Sequence, residues 1–255
     1  YAFDLTGKGV HVYVLDSGIV ATHPEFAGRA NLAYQVQSAR LYGHGSHVAG
    51  LIGGLQVGVA KEATVHGVRV LGCDDTSNSD VVEAIDWVVR NAQRPAVINM
   101  SLGPRPQPNG QYQRVRSIDD AIARAIAANI PVIVAAGNDN LNACSGSPAG
   151  SPGAIVVGAT SPNDTRAAFS NFGPCLTLFA PGDGIVSASN RPGPNGAAVG
   201  GYATFRGTSQ AAPLVAGVVA QMLQANPELK PADIAAQLRS LASPDVVGDP
   251  RGSPN

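Results

Sequence analysis

The stretch GTSQAAP, residues 207–213, decides the fold, because it opens a long apolar run that reaches Leu223 and stops at Asn226-Pro227. The run is apolar on every side, which predicts a helix buried inside a domain, and the residue before a proline often ends a helix. Ser209 lies where this helix begins. It could be a plain N-cap, or a nucleophile, because the free N–H groups at a helix start favour nearby negative charge.

A serine nucleophile needs a base and an acid that orients the base, and two upstream residues suit these roles. Residues 10–15 form a nearly continuous apolar run, typical of a strand in a parallel sheet covered on both faces. Asp16 follows this run at the edge where open α/β sheets bind ligands, although an Asx turn would also explain it. His44 opens a helix between two glycines that let another backbone approach, which suits a general base.

Two other polar residues have competing interpretations. His44 and His47 could be metal ligands, but no third ligand of fitting type follows on the same element. We therefore interpret His47 as structural. Asn138 follows an apolar run at 131–136, so it is either a turn residue or an amide donor at the same sheet edge as Asp16.

Apolar runs typical of strands alternate with helical patterns along the whole chain. This alternation predicts an α/β fold with three layers, α/β/α, around a central, mainly parallel sheet. We find neither repeats nor a low-complexity linker, so residues 1–255 are predicted to form a single domain. The further predicted strands are 65–71, 96–100, 131–136, 154–157 and 176–179, and the further helices are 79–92, 117–129 and 231–241, the second of which has Ser117 and Asp120 at capping-box spacing.

Composition excludes several classes of protein. Hydrophobic residues make up 44% and charged residues 14%, which is typical of a compact domain and not of a disordered or coiled-coil chain. The net charge of −1 gives no indication of binding to nucleic acid or to an acidic membrane surface. No apolar stretch is long enough to span a bilayer. Because the sequence starts at Tyr1 without a signal peptide, we expect a processed mature form, with ends that look short.

The order Asp, His, Ser along the chain distinguishes three families that share the same triad chemistry. The blocks DSG (16–18), GHGSHVAG (43–50) and GTSQAAP (207–213) resemble, in that order, the signature blocks of the subtilisin-like serine proteases. SLG (101–103) and AAGN (135–138) match two more blocks of the family. Within it, residues 142–144, 169–175 and 179–182 resemble the proteinase K-like, aqualysin-type branch, so the resemblance covers the whole chain.

The resemblance implies acyl transfer by a secreted serine endopeptidase. Ser209 would be the nucleophile, His44 the base and Asp16 the acid that orients His44. The Asn138 side chain and the Ser209 backbone N–H would form the oxyanion hole. An alternative is a catalytically silent relative of the family that acts as a secreted binding protein.

The resemblance also implies how substrate binds. An extended polypeptide would add as a strand to Ser101, Leu102 and Gly103 on one side and to Thr76 and Ser77 on the other. The segment at Thr76 and Ser77 lacks the glycine that usually lets the substrate backbone come close in this family. Small uncharged residues would wall the main specificity pocket, which predicts a roomy apolar pocket for large hydrophobic or aromatic side chains. These wall residues are Ala135, Ala136, Gly137 and residues 147–150.

The three cysteines are small buried hydrophobes in the simplest interpretation. The resemblance implies instead a disulfide between Cys144 and Cys175 and a free thiol at Cys73, because residues 40–42 replace the segment that carries the partner of Cys73 in the aqualysin type. A second departure from the family is Gln210, which stands where a methionine is usual and removes an oxidisable thioether.

The remaining expectations concern cofactors and partners. The implied reaction needs no cofactor. A structural Ca²⁺ fits the resemblance, but Ser161 replaces a calcium-binding aspartate of the family, so the metal ligands are unknown. We also expect an N-terminal propeptide in the precursor, a monomer, extracellular localisation, and neither nucleic acid nor membrane as a partner.

Overall fold

The computed structural model describes residues 4–36, 43–72, 77–190 and 200–254. The strands are β1 (His11–Asp16), β2 (Ala30–Gln35), β3 (Thr64–Arg69), β4 (Ala96–Met100), β5 (Val132–Ala135), β6 (Ile155–Thr160), β7 (Leu178–Pro181), β8 (Ile185–Ala188) and β9 (Tyr202–Phe205). The helices are α1 (Gly43–Gly53), α2 (Asn78–Asn91), α3 (Arg116–Ala127), α4 (Thr208–Ala225) and α5 (Pro231–Leu241), with short 3-10 turns at Pro24–Phe26 and Ala143–Ser145.

The main sheet of the described chain is parallel, with strand order β2-β3-β1-β4-β5-β6-β7. The order reverses at β1, which pairs with β3 on one side and with β4 on the other. The carboxyl ends of β1, β4 and β5 therefore meet at one edge, where open α/β sheets bind ligands. Asp16, Ser101 and Asn138 lie at or just after these three strand ends.

Helices cover both faces of this sheet. Successive side chains of each strand point to opposite faces, so the apolar residues of a strand need a covering layer on each face. On β1, Val12 and Val14 belong to the core that includes the buried residues of α1, α4 and α5. Tyr13 and Leu15 belong to the opposite core, with α2 and α3. The prediction of a three-layer α/β/α fold around a parallel sheet is confirmed.

The helix α4 is buried along most of its length, as its uniformly apolar sequence predicts. It packs against β4, β5, β6 and β7 and against α1. Gly207 precedes it with φ 152° and ψ 161°, a backbone conformation that favours glycine. The fold thereby fixes the first turn of α4, and with it Ser209, close to the carboxyl ends of β4 and β5.

Three of the observed strands were not predicted from the sequence, and one helix cap was predicted at the wrong residues. β2 has three exposed and no buried residues, and β8 and β9 form a separate short antiparallel hairpin, so none of them has a buried apolar run. The capping box predicted at Ser117 and Asp120 is wrong: α3 starts after Val115 without a side-chain cap. A capping box occurs instead on α2, between Ser77 and Asp80. No helix among the described residues is both long and apolar enough to cross a membrane.

Candidate active site

Asp16 and His44 form a close pair at the carboxyl end of β1. The Nδ1 atom of His44 lies 2.9 Å from both carboxylate oxygens of Asp16. The Asp16 side chain is fully buried, whereas that of His44 is 34% exposed. The backbone N–H of Ser17 donates to Asp16 Oδ1 at 2.6 Å, which fixes the carboxylate. With Nδ1 bound to Asp16, the Nε2 atom of His44 is left for proton transfer.

His44 reaches this position because α1 starts very close to the turn after β1. A Cβ atom on Gly45 would lie under 3.0 Å from the carbonyl oxygen of Gly18, so any larger residue would push α1 away. The backbone N–H of Gly45 donates to Ser17 Oγ at 3.1 Å, which also holds the start of α1 against this turn. The close backbone approach predicted from the glycines beside His44 is thus found at Gly45.

The negative charge of Asp16 raises the pKa of His44 above its ordinary value of 6.5. Burial acts in the opposite direction, because it disfavours the charged imidazolium, whereas the hydrogen bond that His44 donates to Asp16 raises the pKa further. Asp16 therefore stabilises the protonated form of His44, the form that a general base reaches after taking a proton.

Ser209 is the second residue of α4, and its position depends on Pro213 and Ser101. Pro213 has no N–H, so it leaves the carbonyl of Ser209, four residues earlier, without its helical partner. The Ser101 hydroxyl donates to this carbonyl at 2.9 Å and itself accepts from Asn99 Nδ2 at 3.0 Å. The hydroxyl of Ser209 donates to the carbonyl of Ser101 at 3.3 Å.

Asn138 is oriented by Thr208, the first residue of α4. The side-chain oxygen of Asn138 accepts from the backbone N–H of Thr208 at 2.8 Å and from its hydroxyl at 3.0 Å. The Thr208 hydroxyl also accepts from the N–H of Gly137 at 3.0 Å. Because the Asn138 oxygen is occupied, its Nδ2 group is the free end of the amide. That end is a hydrogen-bond donor for an anion.

One cleft joins these groups. It has a free volume of about 430 Å³ and is lined by His44, Asn138 and Ser209, with Ser101, Leu102 and Gly103 along one side. Asp16 lies behind His44, fully buried. The structure thus brings together the four residues that the sequence analysis selected as nucleophile, base, orienting acid and amide donor.

A second, smaller pocket adjoins the cleft and contains the predicted specificity walls. It shares Gly103, Ala135 and Gly137 with the cleft. The sequence predicted a roomy pocket, but its free volume is only about 20 Å³, close to the requirement of one water molecule. Tyr112, which the sequence analysis did not select, lines this pocket. The other lining residues are Pro104, which also lines the cleft, and Ala136, Ala143, Gly146, Ser147, Pro148 and Ala149.

Four further residues named in the sequence analysis have other surroundings or lie outside the described chain. Ser77 is exposed and caps α2, accepting from the N–H of Asp80 at 3.1 Å. Thr76 and Cys73 lie outside the described residues, as do residues 40–42. His47 is fully buried, and its Nε2 lies 3.2 Å and 3.0 Å from the carbonyls of Ile185 and Ala203, consistent with a structural role.

Cys144 and Cys175 form a disulfide, as the resemblance implies. The two chain segments that the disulfide joins are also hydrogen-bonded to each other, since the N–H of Ala143 donates to the carbonyl of Phe172 at 2.9 Å. Gly173 leaves room for the bridge, since a Cβ atom there would lie 2.9 Å from the Cys144 sulfur. The disulfide therefore fixes the base of the segment that carries Gly146 and Ser147.

The polar groups of the turn at Ser161 are hydrogen-bonded to one another. The Ser161 hydroxyl lies 2.6 Å from Asn163 Oδ1 and 2.8 Å from Thr165 Oγ1, so these oxygens bond to one another. Over the described ranges, no group of three or more His, Cys, Asp or Glu residues is arranged to hold a metal ion.

Three of the positioning residues, Asn99, Thr208 and Tyr112, were missed by the sequence analysis. Thr208 is adjacent to Ser209, but its bonds to Asn138 join residues 70 positions apart. Asn99 is the one polar residue in an otherwise apolar strand, which was a usable signal. Tyr112 lies in an irregular loop, where no periodic pattern indicates which way a side chain points.

Comparison with known proteins gives consistent matches over the whole chain. The profile of the subtilase family matches residues 7–251. An extracellular serine proteinase of Thermus sp. (strain Rt41A) is 46% identical over 264 residues, covering 100% of this chain and 60% of that protein. Alkaline serine exoprotease A of Vibrio alginolyticus is 42% identical over 261 residues, covering 100% of this chain and 46% of that protein. The chain thus spans roughly half the length of these relatives.

Solved structures agree with these matches. A cold-adapted subtilisin-like serine proteinase has a TM-score of 0.90 and 42% identity, covering 100% of this chain and 90% of that chain. A protease from Pseudoalteromonas arctica has a TM-score of 0.82 and 30% identity, covering 98% of this chain and 89% of that chain.

Proposed function

We propose, for a chain that belongs to the subtilase family of peptidases, that Asp16, His44 and Ser209 are the catalytic triad of a serine endopeptidase. The observation that carries the proposal is the contact of His44 Nδ1 with both oxygens of the buried Asp16, at 2.9 Å each, beside a cleft that Ser209 also lines. A nucleophile, a base and an orienting acid in this relation support acyl transfer.

In the proposed reaction, the Ser209 hydroxyl oxygen forms a bond to the peptide carbonyl carbon while His44 Nε2 takes its proton. Asp16 holds His44 in the tautomer that leaves Nε2 unprotonated, and then stabilises the imidazolium. The tetrahedral intermediate collapses, the C–N bond breaks, and His44 returns the proton to the leaving amine. A water molecule, deprotonated by His44, then releases the acyl group from Ser209 by the same steps.

The negative oxygen of the tetrahedral intermediate would bind at the start of α4. Asn138 Nδ2 is free to donate because Thr208 occupies the other end of the amide. The backbone N–H of Ser209, in the first turn of α4, would be the second donor. Donors fixed before the reaction stabilise such a charge at no cost of reorganisation.

We propose that the substrate is an extended polypeptide that pairs with Ser101, Leu102 and Gly103. Gly103 is open, since no atom lies within 4 Å of the Cβ position, which leaves room for a substrate backbone. Pairing on the opposite side would involve Thr76 and Ser77, as the resemblance implies.

The walls of the smaller pocket support an uncharged side chain before the scissile bond. Ala135, Ala136 and Gly137 carry no charge, and a product analysis with cleavage chiefly after Lys or Arg would contradict this preference. The expected preference for large hydrophobic or aromatic residues lacks the same support, because the free volume is about 20 Å³.

The cellular setting is also proposed from the family. Relatives named as an extracellular proteinase and an exoprotease support secretion. We propose a single catalytic domain, synthesised with an N-terminal propeptide and active as a monomer. The reaction requires no cofactor. A structural Ca²⁺ remains a proposal without assigned ligands.

The alternative, a catalytically silent binding protein, has no observation in its favour, and labelling of the nucleophile separates the two. We expect diisopropyl fluorophosphate to phosphorylate Ser209, to abolish cleavage of casein, and to leave the Ser209→Ala variant unlabelled. Equal labelling of this variant would show that the reagent reacts elsewhere. A folded protein that neither reacts at Ser209 nor cleaves casein would contradict the proposed function and favour the silent protein.

A further inference from the structure

The loop between β4 and α3 inserts Tyr112 into the smaller pocket. Gly146 has no side chain, and a Cβ atom there would lie under 3.0 Å from the Tyr112 Cβ, so the tyrosine takes the space that a side chain would need. At the other end of the ring, the Tyr112 hydroxyl lies 3.3 Å from the Cβ position of Gly137. Both glycines line the pocket. The ring therefore extends from one wall of the pocket to the other.

The hydroxyl of Tyr112 is held by two polar partners. It donates to the Asp139 carboxylate and accepts from Asn171 Nδ2 at 2.9 Å. Asn171 is fully buried, and its Nδ2 also donates to the carbonyl of Ala136 at 2.8 Å. Its side-chain oxygen accepts from the N–H groups of Asp139 and Leu141. The phenol is thus bound to the segment that carries Asn138 and forms one pocket wall.

The backbone of the same loop is bound to the opposite wall. The N–H of Val115 donates to Ser147 Oγ at 2.9 Å, and the N–H of Ser147 donates to the carbonyl of Gln113 at 3.4 Å. Arg114 donates to the carbonyl of Gly150 at 2.6 Å. These bonds flank Tyr112 in sequence, so they fix the Cβ end of the ring while Asp139 and Asn171 fix its hydroxyl.

The position of the ring explains why the pocket is nearly full. Its walls are chiefly alanine, glycine and proline, yet the free volume is about 20 Å³, against about 430 Å³ in the adjoining cleft. We propose that Tyr112 sets the size of the side chain that this pocket accepts before the scissile bond, admitting alanine and excluding aromatic residues. This inference rests on the proposed peptidase activity.

The test compares two fluorogenic peptides that are identical except for Ala or Phe before the scissile bond. We expect the wild-type protein to cleave the Ala peptide with a kcat/KM about tenfold or more above that for the Phe peptide, the range that size discrimination in apolar pockets spans. Tyr112→Ala should raise kcat/KM for the Phe peptide about tenfold or more and change that for the Ala peptide less than about threefold. Tyr112→Phe should keep the preference for Ala, because the ring remains.

Tyr34→Ala is the matched control, since the Tyr34 hydroxyl also donates to a carboxylate, that of Glu83, on the far side of β3 from the cleft. It should leave the ratio of the two kcat/KM values unchanged. Equal cleavage of both peptides by the wild-type protein would overturn the inference even if Tyr112→Ala did not fold, as would an unchanged ratio in Tyr112→Ala. A wild-type protein that cleaves neither peptide and does not react with diisopropyl fluorophosphate would instead overturn the proposed function.

Discussion

At the scale of single residues, the site depends on which end of each polar side chain is left free. His44 has its Nδ1 bound to Asp16, and Asn138 has its oxygen bound to Thr208. In each case the occupied atom determines the chemistry of the other, which becomes a proton acceptor in His44 and a hydrogen-bond donor in Asn138. Two side chains of ambiguous function thereby acquire one orientation before any substrate binds.

Asp16→Asn should change the pH dependence of cleavage as well as its rate. His44 must be neutral to act as a base, so kcat/KM rises with pH through the His44 pKa, which Asp16 raises above 6.5. Loss of the carboxylate removes the main cause of that increase while burial still lowers the pKa. We therefore expect the acid limb of the pH profile to move to lower pH, and kcat to fall about 10⁴-fold.

The measurement is kcat/KM across the acid limb with the fluorogenic Ala peptide. Asp86→Asn serves as the control, because Asp86 pairs with Arg124 between α2 and α3, does not line the cleft and should leave the midpoint unchanged. An Asp16→Asn midpoint equal to that of the wild-type protein would show that Asp16 does not set the His44 pKa.

The residues of the site also differ in how well the sequence predicts them. Asp16, His44, Asn138 and Ser209 each follow or precede a recognisable strand or helix, so their common edge could be predicted from the chain order. Tyr112 follows no such element, and its contacts with Asp139 and Asn171 depend on how an irregular loop folds. The prediction of a roomy pocket did not take account of Tyr112, which lines the pocket from this loop.

At the scale of elements, a hydrogen bond joins the residue after β4 to the first turn of α4. It can form because a proline within α4 leaves one carbonyl of that turn without its helical partner. Pro213 frees the Ser209 carbonyl, and Ser101 donates to it at 2.9 Å. The proline was visible in the sequence, and its missing N–H implies an unpaired carbonyl four residues earlier. Its partner could not be predicted, because Ser101 lies 108 residues away.

A double-mutant cycle on Ser101→Ala and Pro213→Ala tests this pairing. Ser101→Ala leaves the Ser209 carbonyl unpaired, which we expect to cost about 1–3 kcal/mol of unfolding free energy. Pro213→Ala supplies a helical N–H for the same carbonyl, so the cost of Ser101→Ala should be smaller in that background.

Chemical denaturation measures all four proteins, each also carrying Ser209→Ala to prevent self-digestion. A coupling energy near zero would mean that Ser101 does not replace the bond that Pro213 removes. Asn99 loses its bond to Ser101 in both backgrounds, so its contribution cancels in the cycle.

The strands of the main sheet could be predicted in proportion to their burial. β4, β5 and β6 are buried at every position and give continuous apolar runs. β2 has no fully buried residue, so no apolar pattern marks it, and the β8–β9 hairpin mixes exposed and buried positions over four residues per strand. These weakly marked strands are stabilised by tertiary contacts, among them the bonds of His47 to the hairpin.

At the scale of the whole molecule, buried histidines make the stability of the fold dependent on pH. His66 lies between His11 Nδ1, at 2.9 Å, and Asn31 Oδ1, at 3.0 Å, and stacks on Tyr13. Burial lowers the pKa of His66 to about 4, and the nearby His11 adds to this. Neutral His66 is therefore favoured by the folded state, whereas the unfolded chain takes up a proton near pH 6.5.

The sign of the effect follows from this depressed pKa. The contribution of His66 is fully present above the unfolded pKa and is lost as pH falls toward the folded value, about 2 kcal/mol of it between pH 7.5 and pH 5. His66→Phe keeps an aromatic ring beside Tyr13 but cannot titrate. In a Ser209→Ala background, its unfolding free energy should fall less between these two pH values than that of the parent, by about the same 2 kcal/mol. Parallel losses in the two proteins would contradict the assignment.

The disulfide lies beside the candidate active site, and we expect it to stabilise the whole chain. Cys144–Cys175 closes a loop with a sequence separation of 31 residues, which contains β6 and begins beside the pocket wall at Gly146 and Ser147. Closing such a loop restricts the unfolded chain, so replacing both cysteines by alanine in a Ser209→Ala background should lower the unfolding free energy by roughly 3–4 kcal/mol. Denaturation curves of the two proteins measure this loss. Thiol titration of the denatured, unreduced protein should find one free thiol, that of Cys73, because the other two cysteines are joined; three free thiols would contradict both the bridge and the stability that it is expected to supply.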